Sequence, residues 1–294
     1  LIHETEFTQP GLFAVEVALF RLWESWGVVP RAVAGHSVGE LAAAYVAGVF
    51  GLGDVARLVA ARGRLMQGCE RGGAMASVEA SESEVVAVLG GVGGRVSVAG
   101  LNGPGQTVVS GDVAAVEEVV AWFVGVGRRV RRLEVSHAFH SPHMEAMLVE
   151  FGEVAAGCVV AEPVLELVST VTGGVVSGRE LSDPGYWVRQ VRDAVRFLDA
   201  VRSLEGLGVG RFVEVGPAGV LAAMGAGCVE GEAVFVASQR SVRVPGESVD
   251  EVVALVQALG AVHVAGQEVA WERVLGGGRP VDLPTYAFQR QHYW

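Results

Sequence analysis

One segment near the N-terminus combines a short apolar stretch, a turn with a serine between two glycines, and an alanine-rich stretch. Residues 28–34 are predicted as a strand, residues 35–39 (Gly-His-Ser-Val-Gly) as the turn, and residues 40–47 as a helix. This order predicts an α/β protein in which Ser37 sits at a helix N-terminus as a candidate nucleophile. The helix dipole and the backbone N–H groups there stabilise a developing oxyanion, and Val38 would supply one N–H group. The alternative is a glycine-rich turn without chemistry.

Residues 74–135 have their own order of strands and helices. Ser81 and Glu84 form a predicted capping box before one helix, and Asp112 is the predicted N-cap of a second helix. The strands are predicted at 74–79, 95–99, 106–110 and 128–135. The order β-α-β-β-α-β predicts a ferredoxin-like subdomain inserted into a larger α/β domain.

Composition and periodicity divide the rest of the chain. We expect a large subdomain in two pieces, 1–72 and 136–238, with the small subdomain at 73–135 between them. After about residue 238 the composition shifts to Ser, Arg and Pro, which predicts a linker over 239–294. Further helices are predicted at 9–27, with Pro10 in the first turn, at 54–67, with Asp54 as N-cap, at 141–157 and at about 249–259.

A serine nucleophile requires a base, and three of the seven histidines have the spacing His-x-x-His-x-x-His: His137, His140 and His143. His140 directly precedes the helix predicted to begin at Ser141. A helix N-terminus disfavours an imidazolium ion, so His140 is the best candidate for a neutral base. A metal site is the weaker alternative, because a strand-to-helix path would scatter the three rings and no acidic ligand is near in sequence; we therefore predict no metal.

Arg62 interrupts the apolar stripe of the helix predicted over 54–67. An arginine that faces the interior requires an anionic partner, because an unpaired buried charge is costly. Two interpretations stay open: a structural ion pair with a core carboxylate, or a bidentate clamp for the carboxylate of a substrate near Ser37.

Charge and composition exclude several classes of function. The chain has 22 basic and 33 acidic residues, and every basic residue is arginine. The absence of lysine excludes a Schiff-base enzyme and a P-loop nucleotide site, and the net charge of −11 disfavours nucleic acid or an anionic membrane as partner. Without a long apolar span or a signal-peptide pattern, we expect a cytoplasmic protein.

Several of these motifs occur together in one known family. Residues 35–40 (Gly-His-Ser-Val-Gly-Glu), Arg62, residues 137–140 (His-Ala-Phe-His) and residues 283–290 (Leu-Pro-Thr-Tyr-Ala-Phe-Gln-Arg) resemble the acyltransferase domain of modular type I polyketide synthases. The chain is also similar to the malonyl-CoA:acyl-carrier-protein transacylases of fatty-acid synthesis. The resemblance implies an α/β-hydrolase-like large subdomain that holds the ferredoxin-like unit.

The resemblance also implies a reaction and its residues. Ser37 would be acylated by malonyl-CoA with His140 as base, and the malonyl group would then pass to the phosphopantetheine thiol of an acyl carrier protein, with no bound cofactor. Arg62 would grip the free carboxylate of the malonyl group. The main-chain carbonyl of Gln190 would orient His140.

Substrate selectivity is expected from residues beside the serine and the base. His36, Val38, His137 and Phe139 resemble the malonyl-selective branch of the family, whereas the methylmalonyl branch tends to have serine at the position of Phe139. The bulky Phe139 would fill the space that an α-methyl group needs. Such a pocket provides about 10- to 200-fold selectivity for one methyl group.

The resemblance implies an acyl carrier protein as partner and a neighbouring ketosynthase that the linker would contact. It also places a strand and a Gly-Gln-Gly turn ahead of residue 1, so we expect this chain to be a piece of a longer protein. A patch of basic residues is a candidate docking surface for the carrier protein, although a solvated strand edge would look the same. The patch comprises Arg128, Arg129, Arg131 and Arg132.

Two other functions are compatible with parts of the sequence. A thioesterase or esterase of the α/β-hydrolase type shares the Gly-x-Ser-x-Gly turn, but its triad follows the order Ser, Asp or Glu, His. Here the candidate histidine comes early, and Arg62 has no use without an acidic acyl chain. A non-catalytic structural segment of a large synthase is the other alternative.

Overall fold

The large subdomain begins with a helix that is longer than its sequence pattern indicates. The computed structural model describes residues 1–239, 250–279, 281–287, 291–292 and 294, so parts of the predicted linker and of the 283–290 motif lie outside the described residues. The first elements are α1 (Thr5–Ser25), β1 (Ala32–Ala34), α2 (Gly39–Val46) and α3 (Leu52–Gln67).

Three local predictions in this region are wrong in their boundaries. Helix α1 starts at Thr5 because Glu4 caps it through its carbonyl, so Pro10 lies inside the helix rather than in its first turn. The strand predicted over 28–34 is only Ala32–Ala34, since Val28 closes the end of α1. The N-cap of α3 is Gly51, while the Asp54 carboxylate accepts a tertiary hydrogen bond from the N–H of Val159.

The small subdomain has the predicted order of elements. Its elements are β2 (Gly73–Val78), α4 (Glu82–Leu89), β3 (Val96–Gly103), β4 (Gln106–Asp112), α5 (Val113–Gly125) and β5 (Val130–Arg132). The strands form one sheet in the order β3-β4-β2-β5, in which every neighbouring pair is antiparallel. Both helices pack on one face of this sheet, and Val85 and Phe123 are buried there. The ferredoxin-like topology is thereby confirmed.

The two predicted caps of the small subdomain differ in outcome. Ser81 and Glu84 form the capping box that the sequence predicts. Asp112 occupies the N-cap position of α5, but its side chain does not cap the helix. The carboxylate instead accepts hydrogen bonds from Arg95 and His143.

The basic residues of the small subdomain do not form the open positive patch that the sequence predicts. Three of the four arginines are neutralised by glutamates of the same subdomain, and Arg131 alone has no carboxylate partner within the described part of the chain. The pairs are Arg128–Glu84, Arg129–Glu79 and Arg132–Glu117.

The remaining elements complete the large subdomain and the C-terminal part. They are a 3₁₀ helix (Pro142–Met147), α6 (Leu148–Ala156), β6 (Glu166–Val168), α7 (Gly178–Leu181), α8 (Pro184–Arg192), α9 (Phe197–Gly206), β7 (Arg211–Glu214), α10 (Val220–Gly225), β8 (Val234–Ala237), α11 (Glu251–Val264) and α12 (Trp271–Val274). The helix predicted over 141–157 is thus a 3₁₀ helix followed by an α-helix. Strand β1 pairs with β6, and β7 pairs with β8, both in parallel.

Several apolar clusters hold this part together, and two of them position the helices near Ser37 and the C-terminal helix. The larger core lies between α2, α3, α6 and α8, and its fully buried members include Leu41, Leu58 and Phe151. A second core joins α11 to α1 and β8 through Leu259, Trp23 and Val236. The C-terminal helix therefore packs on the large subdomain itself. No helix in the described residues combines the length and apolar character that a membrane crossing requires.

Candidate active site

Ser37 stands on a tight turn between β1 and α2. Its φ of 53° is in the left-handed region, which non-glycine residues rarely adopt. The turn requires glycine at position 35, because a Cβ atom there would lie 2.1 Å from the backbone of Gly39. The N–H groups of Gly39 and Glu40 are occupied by the carbonyls of His36 and Ser37. Val38 is left as the candidate oxyanion donor beside the serine.

The serine and one histidine are in direct contact. The distance between Ser37 Oγ and His140 Nε2 is 2.8 Å, and His140 is buried. The Nδ1–H group of His140 donates to the main-chain carbonyl of Asp193 at 2.9 Å. This bond selects the tautomer that leaves Nε2 unprotonated, so Nε2 can accept the serine proton.

The environment keeps the His140 ring neutral. Burial, followed by the positive charge of Arg62, lowers the pKa of His140 to about 3. The adjacent His36 has its pKa lowered by burial as well, so it adds no charge near neutral pH. A neutral imidazole against the serine hydroxyl is the protonation state that base catalysis requires.

The carbonyl that orients His140 belongs to Asp193, and the prediction that Gln190 provides it is wrong. Gln190 lies inside α8, where carbonyl groups point along the helix axis, whereas Asp193 follows the last residue of the helix in an extended conformation. Gln190 contributes its side chain instead. Its amide donates from Nε2 to the Ser37 carbonyl at 2.6 Å and accepts at Oε1 from Arg62 at 3.3 Å.

This difference gives a direct test. We expect Gln190→Ala to lower the rate of Ser37 acylation about 3- to 30-fold, because it removes two hydrogen bonds that hold the serine backbone and Arg62. Asp193→Ala keeps the main-chain carbonyl and should change the rate less than about threefold. The measurement is single-turnover acylation of both variants. A larger loss in Asp193→Ala than in Gln190→Ala would contradict the assignment.

Arg62 is buried, and its guanidinium is held by neutral side chains. It is 2% exposed and donates to Gln9 Oε1 at 2.7 Å, to Ser37 Oγ at 3.1 Å and to Gln190 Oε1 at 3.3 Å. Among the described residues, no carboxylate lies within ion-pair distance of it. Glu40 acts on it only through space, and burial lowers the pKa of Arg62 to about 10. The structural ion pair is therefore absent, and a charged guanidinium faces the serine.

Glu40 stabilises the turn that carries Ser37 through a buried hydrogen-bond network. Its carboxylate is fully buried and accepts hydrogen bonds from Tyr186 and from the Thr170 hydroxyl. The same Thr170 hydroxyl lies 2.8 Å from the carbonyl of Gly35. Burial raises the pKa of Glu40, although the hydrogen bonds from Tyr186 and Thr170 favour its carboxylate form.

The expected selectivity residues lie around this centre. His36 donates from Nε2 to Asn102 Oδ1 at 3.1 Å and packs its ring on Phe197. His137 is buried, and its ring centroid lies 5.9 Å from that of Phe139. Position 38, at the start of α2, is partly buried.

The three spaced histidines do not converge. His140 faces Ser37, His143 faces Asp112 at 2.8 Å, and His137 contacts Ser136. Across the described ranges, no three potential ligands are grouped to hold a metal ion.

Four residues of the site carry no local sequence signal. Gln9 on α1 bonds Arg62, Asn102 on β3 bonds His36, Asp193 orients His140, and the hydroxyl of Ser97 donates to the His140 carbonyl at 3.1 Å. Each partner is distant in the chain, so no periodicity or short motif could identify it.

A serine hydrogen-bonded to a neutral imidazole is the arrangement that nucleophilic acyl chemistry requires. The chain belongs to the acyl transferase domain family, whose model matches residues 1–234. The family resemblance seen in the sequence is thereby confirmed.

Similar proteins are polyketide synthases, and the chain spans only a small part of each. It is 57% identical to polyketide synthase GfsA of Streptomyces halstedii over 297 residues. This alignment covers 100% of this chain and 4% of GfsA. It is 47% identical to mycoketide-CoA synthase of Mycobacterium tuberculosis over 294 residues. This alignment covers 100% of this chain and 7% of that protein.

Solved structures of an acyltransferase domain and of a FabD protein are also similar to this chain. The acyltransferase domain from the second module of the salinomycin polyketide synthase is 48% identical, with a TM-score of 0.89 over 98% of this chain and 67% of that one. FabD from Acinetobacter baumannii is 29% identical, with a TM-score of 0.80 over 90% of this chain and 83% of that one.

Proposed function

We propose that this chain transfers a malonyl group from malonyl-CoA, through an ester on Ser37, to the phosphopantetheine thiol of an acyl carrier protein. The observation that carries the proposal is the buried Arg62 guanidinium, which lies 3.1 Å from Ser37 Oγ and has no carboxylate partner among the residues that the structure describes. A buried cation beside the nucleophile suits an acyl group that carries its own carboxylate. FabD from Xanthomonas oryzae, a further structural neighbour that is 33% identical, is by its name a malonyl-CoA:acyl carrier protein transacylase.

In the first half-reaction, Ser37 Oγ attacks the thioester carbonyl while its proton passes to His140 Nε2. The N–H group of Val38 stabilises the oxyanion, and the proton then leaves with the CoA thiol. In the second half-reaction, the carrier thiol gives its proton to His140 and attacks the malonyl ester, which restores the serine hydroxyl.

The malonyl carboxylate would also strengthen the base. In the free protein the charge of Arg62 is one of the causes that lower the pKa of His140. An anion bound to Arg62 cancels much of that charge, so the pKa of His140 rises towards its ordinary value. Binding of the correct acyl group and activation of the serine are thus coupled through one arginine.

The central experiment follows radiolabelled malonyl-CoA on the protein and then adds a carrier protein. Label on Ser37, located by peptide mapping, that moves to the carrier faster than to water supports the proposal. Rapid loss of label to water would favour a thioesterase. No label on Ser37 in folded protein would contradict the proposal and favour a structural segment. The Ser37→Ala variant provides the blank.

Selectivity for malonyl over methylmalonyl groups is proposed to depend on Phe139. We expect Phe139→Ser to raise the rate with methylmalonyl-CoA relative to malonyl-CoA, by at most about 10- to 200-fold, because it opens space for one methyl group. The measurement is the ratio of the two kcat/KM values. Phe212→Ser removes a partly buried ring outside the site and is the matched control, so an equal shift in both variants would count against this role.

The acyl carrier protein, a neighbouring ketosynthase and a cytoplasmic location remain part of the proposal, since they come from the resemblance. With three of its four arginines paired, the basic patch of the small subdomain gives no support to a docking site there.

A further inference from the structure

The base, unlike the nucleophile, lies on a loop that packs against the small subdomain. Ser37 lies in the turn between β1 and α2, and Arg62 lies on α3. Both belong to the large subdomain, and they are in contact. The loop that carries His140 follows β5 directly and lies against the sheet of the small subdomain. The geometry of the Ser37–His140 pair therefore depends on how that loop is fixed to the small subdomain.

The loop approaches the sheet closely. A Cβ atom on Gly73, the first residue of β2, would lie 2.4 Å from the Cβ atom of Ala138, so only glycine permits this contact. The next residue, Phe139, packs against the cluster that contains Met75 and Leu133. The residues just before His140 are thus in contact with β2 and with the segment after β5.

A hydrogen bond fixes the backbone of His140 itself. The hydroxyl of Ser97, on β3, donates to the His140 carbonyl at 3.1 Å. His140 has a φ of 55°, a left-handed conformation that surrounding structure must hold in place. The hydrogen bond from Ser97 restrains the peptide group between His140 and Ser141. It thereby restrains the backbone of His140 and the orientation of its imidazole towards Ser37.

The carbonyl that orients the imidazole is attached to the same strand. Val195, two residues after Asp193, donates to the Ala99 carbonyl at 3.0 Å and accepts from the N–H of Leu101 at 2.8 Å. This pairing extends the edge of β3, so the strand fixes both the backbone of His140 and the segment whose carbonyl accepts from its Nδ1 atom.

A hydrogen bond between a histidine and a carboxylate anchors the far end of the loop. His143 donates from Nε2 to the Asp112 carboxylate at 2.8 Å, and Asp112 also accepts from the N–H of Arg95, directly before β3. The 3₁₀ helix that follows His140 is thereby tied to the end of β4.

We propose that Ser97 is a positioning residue for His140, through which strand β3 of the small subdomain sets the alignment of the base with Ser37. The inference rests on the roles proposed above for Ser37 and His140. Part of the catalytic alignment would then depend on a strand that supplies neither the nucleophile nor the base.

The test compares Ser97→Ala, Ser97→Thr and Ser110→Ala in the full chain. Ser97→Ala removes the bond to His140, whereas Ser97→Thr keeps a hydroxyl and is compatible with a strand. Ser110 is the cross-strand partner of Ser97, and its buried hydroxyl has no hydrogen-bond partner in the described ranges, so Ser110→Ala is the matched control.

Two rates are measured for each variant: the labelling of Ser37 by a fluorophosphonate, which needs the serine and base but no malonyl group, and the acylation by malonyl-CoA. We expect Ser97→Ala to slow both rates about 3- to 10-fold at unchanged KM for malonyl-CoA, with Ser97→Thr close to wild type and Ser110→Ala unchanged. The thermal midpoint of each variant shows that the protein is folded at the assay temperature.

The outcomes separate this inference from the proposed function. Wild-type protein that reacts with the fluorophosphonate but not with malonyl-CoA would overturn the malonyl proposal and leave the Ser97 comparison intact. Ser97→Ala that reacts as fast as wild type, or as fast as Ser110→Ala, would overturn the inference. Wild-type protein that fails to react with the fluorophosphonate would overturn both, since Ser37 would not be activated.

Discussion

Arg62→Ala is expected to slow acylation of Ser37 by malonyl-CoA on the order of 10²- to 10³-fold, while the slower reaction with acetyl-CoA changes about threefold or less. The guanidinium is buried and forms no ion pair in the described structure, so its binding energy is available to the carboxylate of the acyl group. Loss of one partner of a buried ion pair costs about 3–5 kcal/mol. The acetyl group has no carboxylate that could bind Arg62, so removing Arg62 costs the acetyl reaction no such interaction.

The measurement is kcat/KM for both thioesters in the variant and in the wild type. Arg64→Ala is the matched control, because Arg64 lies on the same helix with its side chain exposed to solvent and paired with Glu150. Arg62→Lys should recover only part of the loss, since lysine keeps the charge but not the planar fork. Equal damage to the malonyl and acetyl reactions would falsify the clamp.

Ser37→Ala is expected to abolish covalent labelling, and His140→Ala is expected to reduce the acylation rate about 10²- to 10⁴-fold. The 2.8 Å contact lets the imidazole take the serine proton, so its loss slows acylation while the serine stays in place. The readout is single-turnover acylation with intact-mass detection of the acyl-enzyme. Acylation of His140→Ala at the wild-type rate would contradict the role of His140 as base.

His263→Ala is the control for the histidine change, because His263 is exposed on α11, outside the site. The pH dependence gives a second readout of the same pair. Since burial and Arg62 hold the pKa of His140 at about 3, the base stays neutral and the wild-type rate with excess acetyl-CoA should be flat between about pH 8 and about pH 5. A fall in rate centred near the ordinary histidine pKa would contradict the described environment.

Much of the local structure could be predicted because it depends on residues a few positions apart. The elbow at Ser37 follows from glycines two residues to either side, and the capping box follows from Ser81 and Glu84 three residues apart. The inward orientation of Arg62 follows from its position on the apolar stripe of α3, and the structure confirms that it is buried.

The incorrect predictions arise where a local signal competes with a distant partner. Asp54 and Asp112 have the side chains of helix caps, yet their carboxylates bond Val159 and His143, which the fold brings close. The basic run near Arg129 has the sequence of a docking patch, but glutamates of the same subdomain neutralise most of it. In each case the local pattern predicts one role for a charged side chain, and a hydrogen bond or ion pair to a residue distant in the chain gives it another.

The sequence by itself predicted the class of fold, the candidate serine and base, and the inward-facing arginine, because periodicity, turn chemistry and a charge on an apolar stripe are local properties. Only the tertiary structure decided what surrounds them. The carbonyl that orients His140 is 53 residues away, and the amide of Gln190 that contacts Arg62 is 128 residues away. Hydrogen-bond partners at such separations are set by how distant helices and loops pack against one another, and no pattern along the chain predicts that packing.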